Sequence, residues 1–114
     1  MTDEAIVQCH IVQYCDWHKI PVYHIPNGGK RNRREAINLK RQGVRAGVPD
    51  LCIPVPMGSY HGLYIELKVD KNKTTQNQDD WLELLNKNGY KAVVCYGFDE
   101  AKAEIDKYFN FERW

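Results

Sequence analysis

Asp50, Glu66 and Lys68 are the residues of this sequence whose types and spacing suggest chemistry. Glu66 and Lys68 stand two apart in "GLYIELK" (residues 62–68). In an extended chain both therefore project from the face opposite Leu63, Ile65, Leu67 and Val69. The solvent side of an ordinary half-buried strand would alternate in the same way, so the pair alone decides nothing. Upstream, "GVPD" (residues 47–50) places a carboxylate at the start of another strand-like run, where a glycine and a proline shape the backbone. If the two runs pair as a hairpin, Asp50 and Glu66 can meet at one end of a sheet, with Lys68 on the side of Glu66. Adjacent carboxylates repel and raise each other's pKa unless a cation lies between them, which makes such a pair a metal site or an acid/base pair. Oxygen donors favour Mg²⁺ or Mn²⁺. A metal held there could bind a phosphodiester oxygen and lower the pKa of a bound water. Lys68 would orient or help deprotonate that water and stabilise the developing charge. The chemistry suggested is phosphodiester hydrolysis.

The elements that must position these groups can be read in order. Asp3 to His18 spaces Val7, Ile11 and Tyr14 at helical intervals, with Thr2 as N-cap and Asp3 and Glu4 in the first turn. Residues 21–26 form a short β-rich run between two prolines, closed by the turn signal Asn27-Gly28-Gly29. Helix formers fill 31–42, with Gly43 as the stop. Residues 50–55 read as a strand, 56–59 as a turn, and 62–69 as the second arm of a hairpin. Thr75 starts a helix with Trp81, Leu82 and Leu85 on one face, and Asn88-Gly89 caps its end. The apolar run 90–96 is a buried strand, followed by Gly97 and a helix capped by Asp99, with Ala101, Ile105, Tyr108 and Phe109 inward. The order α-β-α-β-β-α-β-α predicts an α/β domain, a mixed β-sheet flanked by helices.

At 114 residues, the chain fits one domain spanning 1–114. Its 43% apolar and 27% charged residues exclude the disordered and membrane classes. No apolar run approaches the roughly 18 residues of a membrane span, and no secretory signal opens the sequence. Cys9, Cys15, Cys52 and Cys95 are scattered, form no zinc pattern and are expected to be reduced and mostly buried. A cytoplasmic setting is expected. The net charge of +1 hides an asymmetry: Lys30, Arg31, Arg33, Arg34, Lys40, Arg41 and Arg45 lie together, diluted only by Glu35. Such a cluster suits a polyanion such as nucleic acid, or is simply a solvated helix face.

"GVPD" followed after a hairpin-length interval by "ELK" resembles the PD-(D/E)xK nuclease superfamily. The segments "HIPNGGKR", "LKRQGVRAGVPDL", "YIELK" and "QNQDDWLELLNKNGYKAVV" resemble, in order, the virus-type replication-repair nuclease domain, VRR-NUC. The resemblance implies the PD-(D/E)xK nuclease-like fold and a Mg²⁺- or Mn²⁺-dependent DNA endonuclease without an organic cofactor or membrane association. It is similar to small standalone members, often phage-encoded, that resemble Holliday-junction resolvases and work as homodimers on branched DNA. For a phage-encoded member, the location implied is the bacterial host cytoplasm.

By the same resemblance, Asp50, Glu66 and Lys68 form the catalytic core, with Asp50, Glu66 and the Leu67 backbone carbonyl holding the metal. The family's first-helix glutamate is matched by Glu4, as a site residue and further metal ligand. Its glutamine after the Glu-x-Lys strand is matched by Gln78, with Gln76 as the competing alignment. Each has an ordinary explanation too: Glu4 favours the helix dipole, and Thr75-x-x-Gln78 fits a capping box. Lys30, Arg31, Arg33 and Arg34 are expected to meet DNA phosphates, with Lys71 and Lys73 near the cut. His24 reads as an ordinary strand residue. A DNA-binding module that keeps the fold without turnover is the alternative, disfavoured by the presence of all three core residues.

Overall fold

The alternating run of residues 63–68 becomes an inner strand with partners on both edges. The structure is a computed structural model that describes residues 1–26 and 31–111. Its elements are α1 (Asp3–Trp17), β1 (Tyr23–His24), α2 (Arg33–Arg41), β2 (Leu51–Ile53), β3 (Leu63–Lys68), α3 (Gln76–Lys87), β4 (Lys91–Tyr96) and α4 (Gly97–Tyr108). The four strands lie in the order β1-β2-β3-β4, the first two pairings antiparallel and β3–β4 parallel. The expected mixed α/β architecture and the hairpin between β2 and β3 are both present. The two-strand parallel pairing requires a crossover, and α3 supplies it.

The apolar face of the sheet is closed by α1 and α4. Leu51, Ile53, Leu63, Ile65 and Leu67 meet Ile11, Cys15, Ala101 and Ile105 in one fully buried cluster. Helix α4 starts without the expected Asp99 cap, because Gly97 takes φ +83° and turns the chain straight from β4 into the helix. Glu100 instead reaches back to accept the Tyr96 N–H at 3.0 Å. Three other boundaries differ from the sequence reading: β1 shrinks to two residues between its prolines, β2 shrinks to three ahead of Pro54, and α2 starts at Arg33 because Asn32 caps it. The Asn27-Gly28-Gly29 turn lies outside the described residues. Cys15, Cys52 and Cys95 are buried and Cys9 is exposed, all four as free thiols. None of the helices is long and apolar enough to cross a membrane among the described residues.

The opposite face carries Tyr64, Glu66 and Lys68, and α3 crosses it. Strand β4 is an edge, but Asn86 of α3 completes its hydrogen bonding at Ala92: Asn86 Oδ1 accepts from the Ala92 N–H and Asn86 Nδ2 donates to the Ala92 carbonyl, both at 3.0 Å. The same amide nitrogen donates to the Leu82 carbonyl at 2.9 Å. Asn86 thus joins the helix that delivers one side of the site to the strand beside it. Replacing Asn86 with Ala should lower unfolding free energy by about 1–3 kcal/mol, because Ala92 is buried and loses both partners. Asn86→Asp, which cannot donate, should recover little of that loss, and urea denaturation of the three proteins measures it.

Candidate active site

The register of the hairpin fixes where the carboxylates go. Leu51 pairs with Ile65 and Cys52 with Tyr64, so the next position toward the strand end sets Asp50 opposite Glu66. Asp50 is held from several sides: its Oδ2 accepts the Leu67 N–H at 2.7 Å, and its carbonyl accepts the Ile25 N–H at 2.8 Å. His24 Nδ1 also lies 2.9 Å from that carbonyl, in donating range. Contact of His24 and Ile25 with Asp50 could not be read from the sequence, since it depends on β1 pairing with β2 through only two residues. Leu67 therefore meets Asp50 through its amide, whereas the family resemblance had implied a role for its carbonyl.

On β3, Glu66 is 2% exposed and Lys68 9%, so the polar side of "GLYIELK" is buried rather than wet. Lys68 Nζ stands 3.8 Å from Glu66 Oε2, an ion pair without a close hydrogen bond. Gln78 Nε2 donates to the same Oε2 at 3.3 Å. Its other end closes the capping box that starts α3: Gln78 Oε1 accepts the Thr75 N–H at 2.9 Å, and the Thr75 hydroxyl accepts the Gln78 N–H at 3.2 Å. Capping and site contact, rival explanations in the sequence, are made by opposite ends of one amide. Gln76 is exposed and instead donates to Asp80 at 2.8 Å.

Burial pushes the Glu66 carboxyl up to about 8, reinforced by the charge of Asp50 and a hydrogen bond with it, and opposed by Lys68. Glu4 also raises Glu66, and is itself raised by burial and by Asp50, with Lys68 opposing. Thus the first turn of α1 does bring Glu4 toward the cluster. Among the described residues no three His, Cys, Asp or Glu side chains form a ready metal cage. Mg²⁺ and Mn²⁺ do not need one: one or two carboxylates with waters suffice. Asp50 and Glu66, hard oxygen donors whose mutual repulsion a divalent cation would relieve, fit that requirement, and Glu4 is near enough to act on Glu66 electrostatically.

The basic residues fall outside this cluster. Arg31, Arg33 and Arg34 are exposed, Arg33 and Arg34 on α2, none of whose residues is buried. Lys30 lies outside the described residues. Lys71 and Lys73 are exposed in the loop after β3, which Tyr96 ties down by donating its hydroxyl to the Asn72 carbonyl at 2.8 Å.

With this geometry in view, the comparisons with known proteins agree on one family. The VRR-NUC domain family matches residues 4–99. A solved structure described as a VRR_NUC domain protein is 36% identical over 96% of this chain and 90% of its own, with a TM-score of 0.83. No curated protein matches.

A raised carboxyl makes folding take up a proton. Between its ordinary value of 4.5 and about 8, Glu66 holds more proton in the folded than in the unfolded chain. Its stabilisation is therefore full at the acid end and lost as pH rises through that window. Thermal melts in chelator should show Tm falling from about pH 5.5 to about pH 8.5, with a shallower fall in Glu66→Gln. Adding Mg²⁺ near the upper pH should raise Tm in the wild type more than in Glu66→Gln.

Proposed function

The chain belongs to the VRR-NUC family, and from that premise we propose that it is a metal-dependent endonuclease that hydrolyses phosphodiester bonds in branched DNA. The family implies nuclease-type chemistry. The observation that carries the finer reading is the convergence of Asp50, Glu66 and Lys68, with Gln78 donating to Glu66, at the end of one sheet.

Asp50, Glu66 and the Leu67 carbonyl would hold Mg²⁺ or Mn²⁺, with Glu4 available as a further oxygen donor. When bound, the ion supplies positive charge to the phosphate oxygens and acidifies a coordinated water. Lys68, buried on the same face, orients the attacking water and offsets charge on the phosphorane-like transition state. Gln78 holds the Glu66 carboxylate in one rotamer without adding a charge. Lys30, Arg31, Arg33 and Arg34 take DNA phosphates, and Lys71 and Lys73 take them near the cut.

The preference for branched DNA and the pairing of two copies follow from the same reading. One such site cuts one strand, so symmetric cutting of a four-way junction takes two copies related by a twofold axis.

Purified protein should cut four-way or flap DNA with Mg²⁺ or Mn²⁺ and lose all cutting in excess chelator. Lys68→Ala and Asp50→Asn should each lower the rate by about a thousandfold or more, while circular dichroism and metal-free DNA affinity stay near wild type. Undiminished cutting by both variants would sink the assignment. Replacing Arg33 and Arg34 with Ala should flatten the slope of log affinity against log salt by about one to two, as fits the loss of two phosphate contacts. An unchanged slope returns both to a solvated helix face.

A further inference from the structure

Two glycines of the segment between α2 and β2 adopt the left-handed region, and they differ in one respect. Gly43 has φ +108° and open space around it, whereas Gly47 has φ +92° and abuts the first turn of α3. A Cβ at Gly47 would lie 2.5 Å from the Asn77 carbonyl carbon, 2.6 Å from its oxygen and 2.8 Å from its Cβ. The nearest of these atoms are backbone, so a rotamer change cannot relieve the overlap; the helix turn or the loop must move.

Both sides of that contact lead into the site. Gly47 stands three residues before Asp50, and buried Pro49 leaves the connection little slack. Asn77 immediately precedes Gln78, whose donation to Glu66 already spans 3.3 Å. A shift of a few tenths of an ångström would carry it past the range in which such a bond holds.

We propose that Gly47 is a positioning residue: its lack of a side chain lets the loop bearing Asp50 press against the first turn of α3, and this contact sets the reach of Gln78 to Glu66. The assignment draws on the nuclease reading only for its kinetic consequence. The glycine of "GVPD" thus does more than shape its own turn. It locks two site-bearing segments that are far apart in sequence to a common distance.

The test compares wild type with Gly43→Ala, Gly47→Ala, Gln78→Ala and the double variant Gly47→Ala/Gln78→Ala. Gly43→Ala carries the same kind of backbone strain without the overlap, so it isolates the contact. In metal-free protein, the side-chain amide resonances of Gln78, identified by their loss in Gln78→Ala, should shift in Gly47→Ala and stay in place in Gly43→Ala. With Mg²⁺ and a four-way junction, kcat should fall about tenfold in Gly47→Ala and less than about twofold in Gly43→Ala, with KM little changed. In the Gln78→Ala background, Gly47→Ala should cost less than about a further twofold, because the two act through one contact.

Multiplying losses, an unmoved Gln78 resonance, equal effects of the two glycine variants, or failure of Gly47→Ala to fold where Gly43→Ala folds would each overturn the assignment. If the wild type cuts no DNA, the nuclease reading fails while the resonance comparison still decides the role of Gly47.

Discussion

Glu66 and Lys68 are buried on an inner strand, and the rest of the site is arranged around that constraint. Ionised groups out of water are costly unless partners surround them. The apolar side of β3 leaves no choice about where they point, because Leu63, Ile65 and Leu67 are fully buried against α1 and α4, and a slip of one residue would invert both faces. The core thus aims the chemistry: the packing that stabilises the sheet drives a carboxylate and an ammonium under α3. Their neighbours answer the constraint incompletely. Lys68 stands 3.8 Å away and Gln78 donates at 3.3 Å, while Asp50 and Glu4 add charge of the same sign as Glu66.

Gln78 shows how a small domain can use one side chain for fold and site together. A primary amide accepts at one end and donates at the other, so an oxygen engaged at the Thr75 N–H turns the nitrogen toward Glu66. The cap therefore sets the orientation of the site contact. A glutamate in its place could complete the same capping box, but would put a fourth carboxylate beside Asp50, Glu66 and Glu4. Asn86, two turns further along α3, works similarly on β4. Together the two amides fasten α3 to both strands of the parallel pair.

Much of this was legible in the sequence because it rests on local rules. Period-two alternation gave β3, the Thr75-x-x-Gln78 spacing gave the start of α3, and Thr2 gave the start of α1. Asp50 opposite Glu66 followed from reading a hairpin. What stayed hidden depends on pairing between distant segments. The burial of Glu66 and Lys68 needs β4 on the far edge and α3 above, while alternation alone describes a wet face equally well. His24 reaching the Asp50 carbonyl needs the β1–β2 register, and the tight approach at Gly47 needs α3 placed against a loop thirty residues earlier. The missed cap at Asp99 has another origin: aspartate near a helix start is a good statistical signal, but a left-handed Gly97 moved the cap three residues upstream, to Tyr96.

The electrostatics also bear on what the nuclease reading requires. Burial raises the pKa of Glu4 and of Glu66, the charge of Asp50 adds to both, and Lys68 opposes the rise in both. A DNA strand brought to that end of the sheet would add phosphate charge of the same sign, with one buried ammonium against it. The arginines of α2 can bind phosphates at a distance, but they do not enter the cluster. Charge must therefore be balanced where the bond breaks, and the first turn of α3, with its positive helix end beside Glu66, supplies only a fraction of one charge. Asp50 and Glu66 would hold a divalent cation, which would supply positive charge against their repulsion and that of the phosphate. On this reading the raised carboxyls, costly to a domain that only bound DNA, are what a metal-dependent nuclease needs.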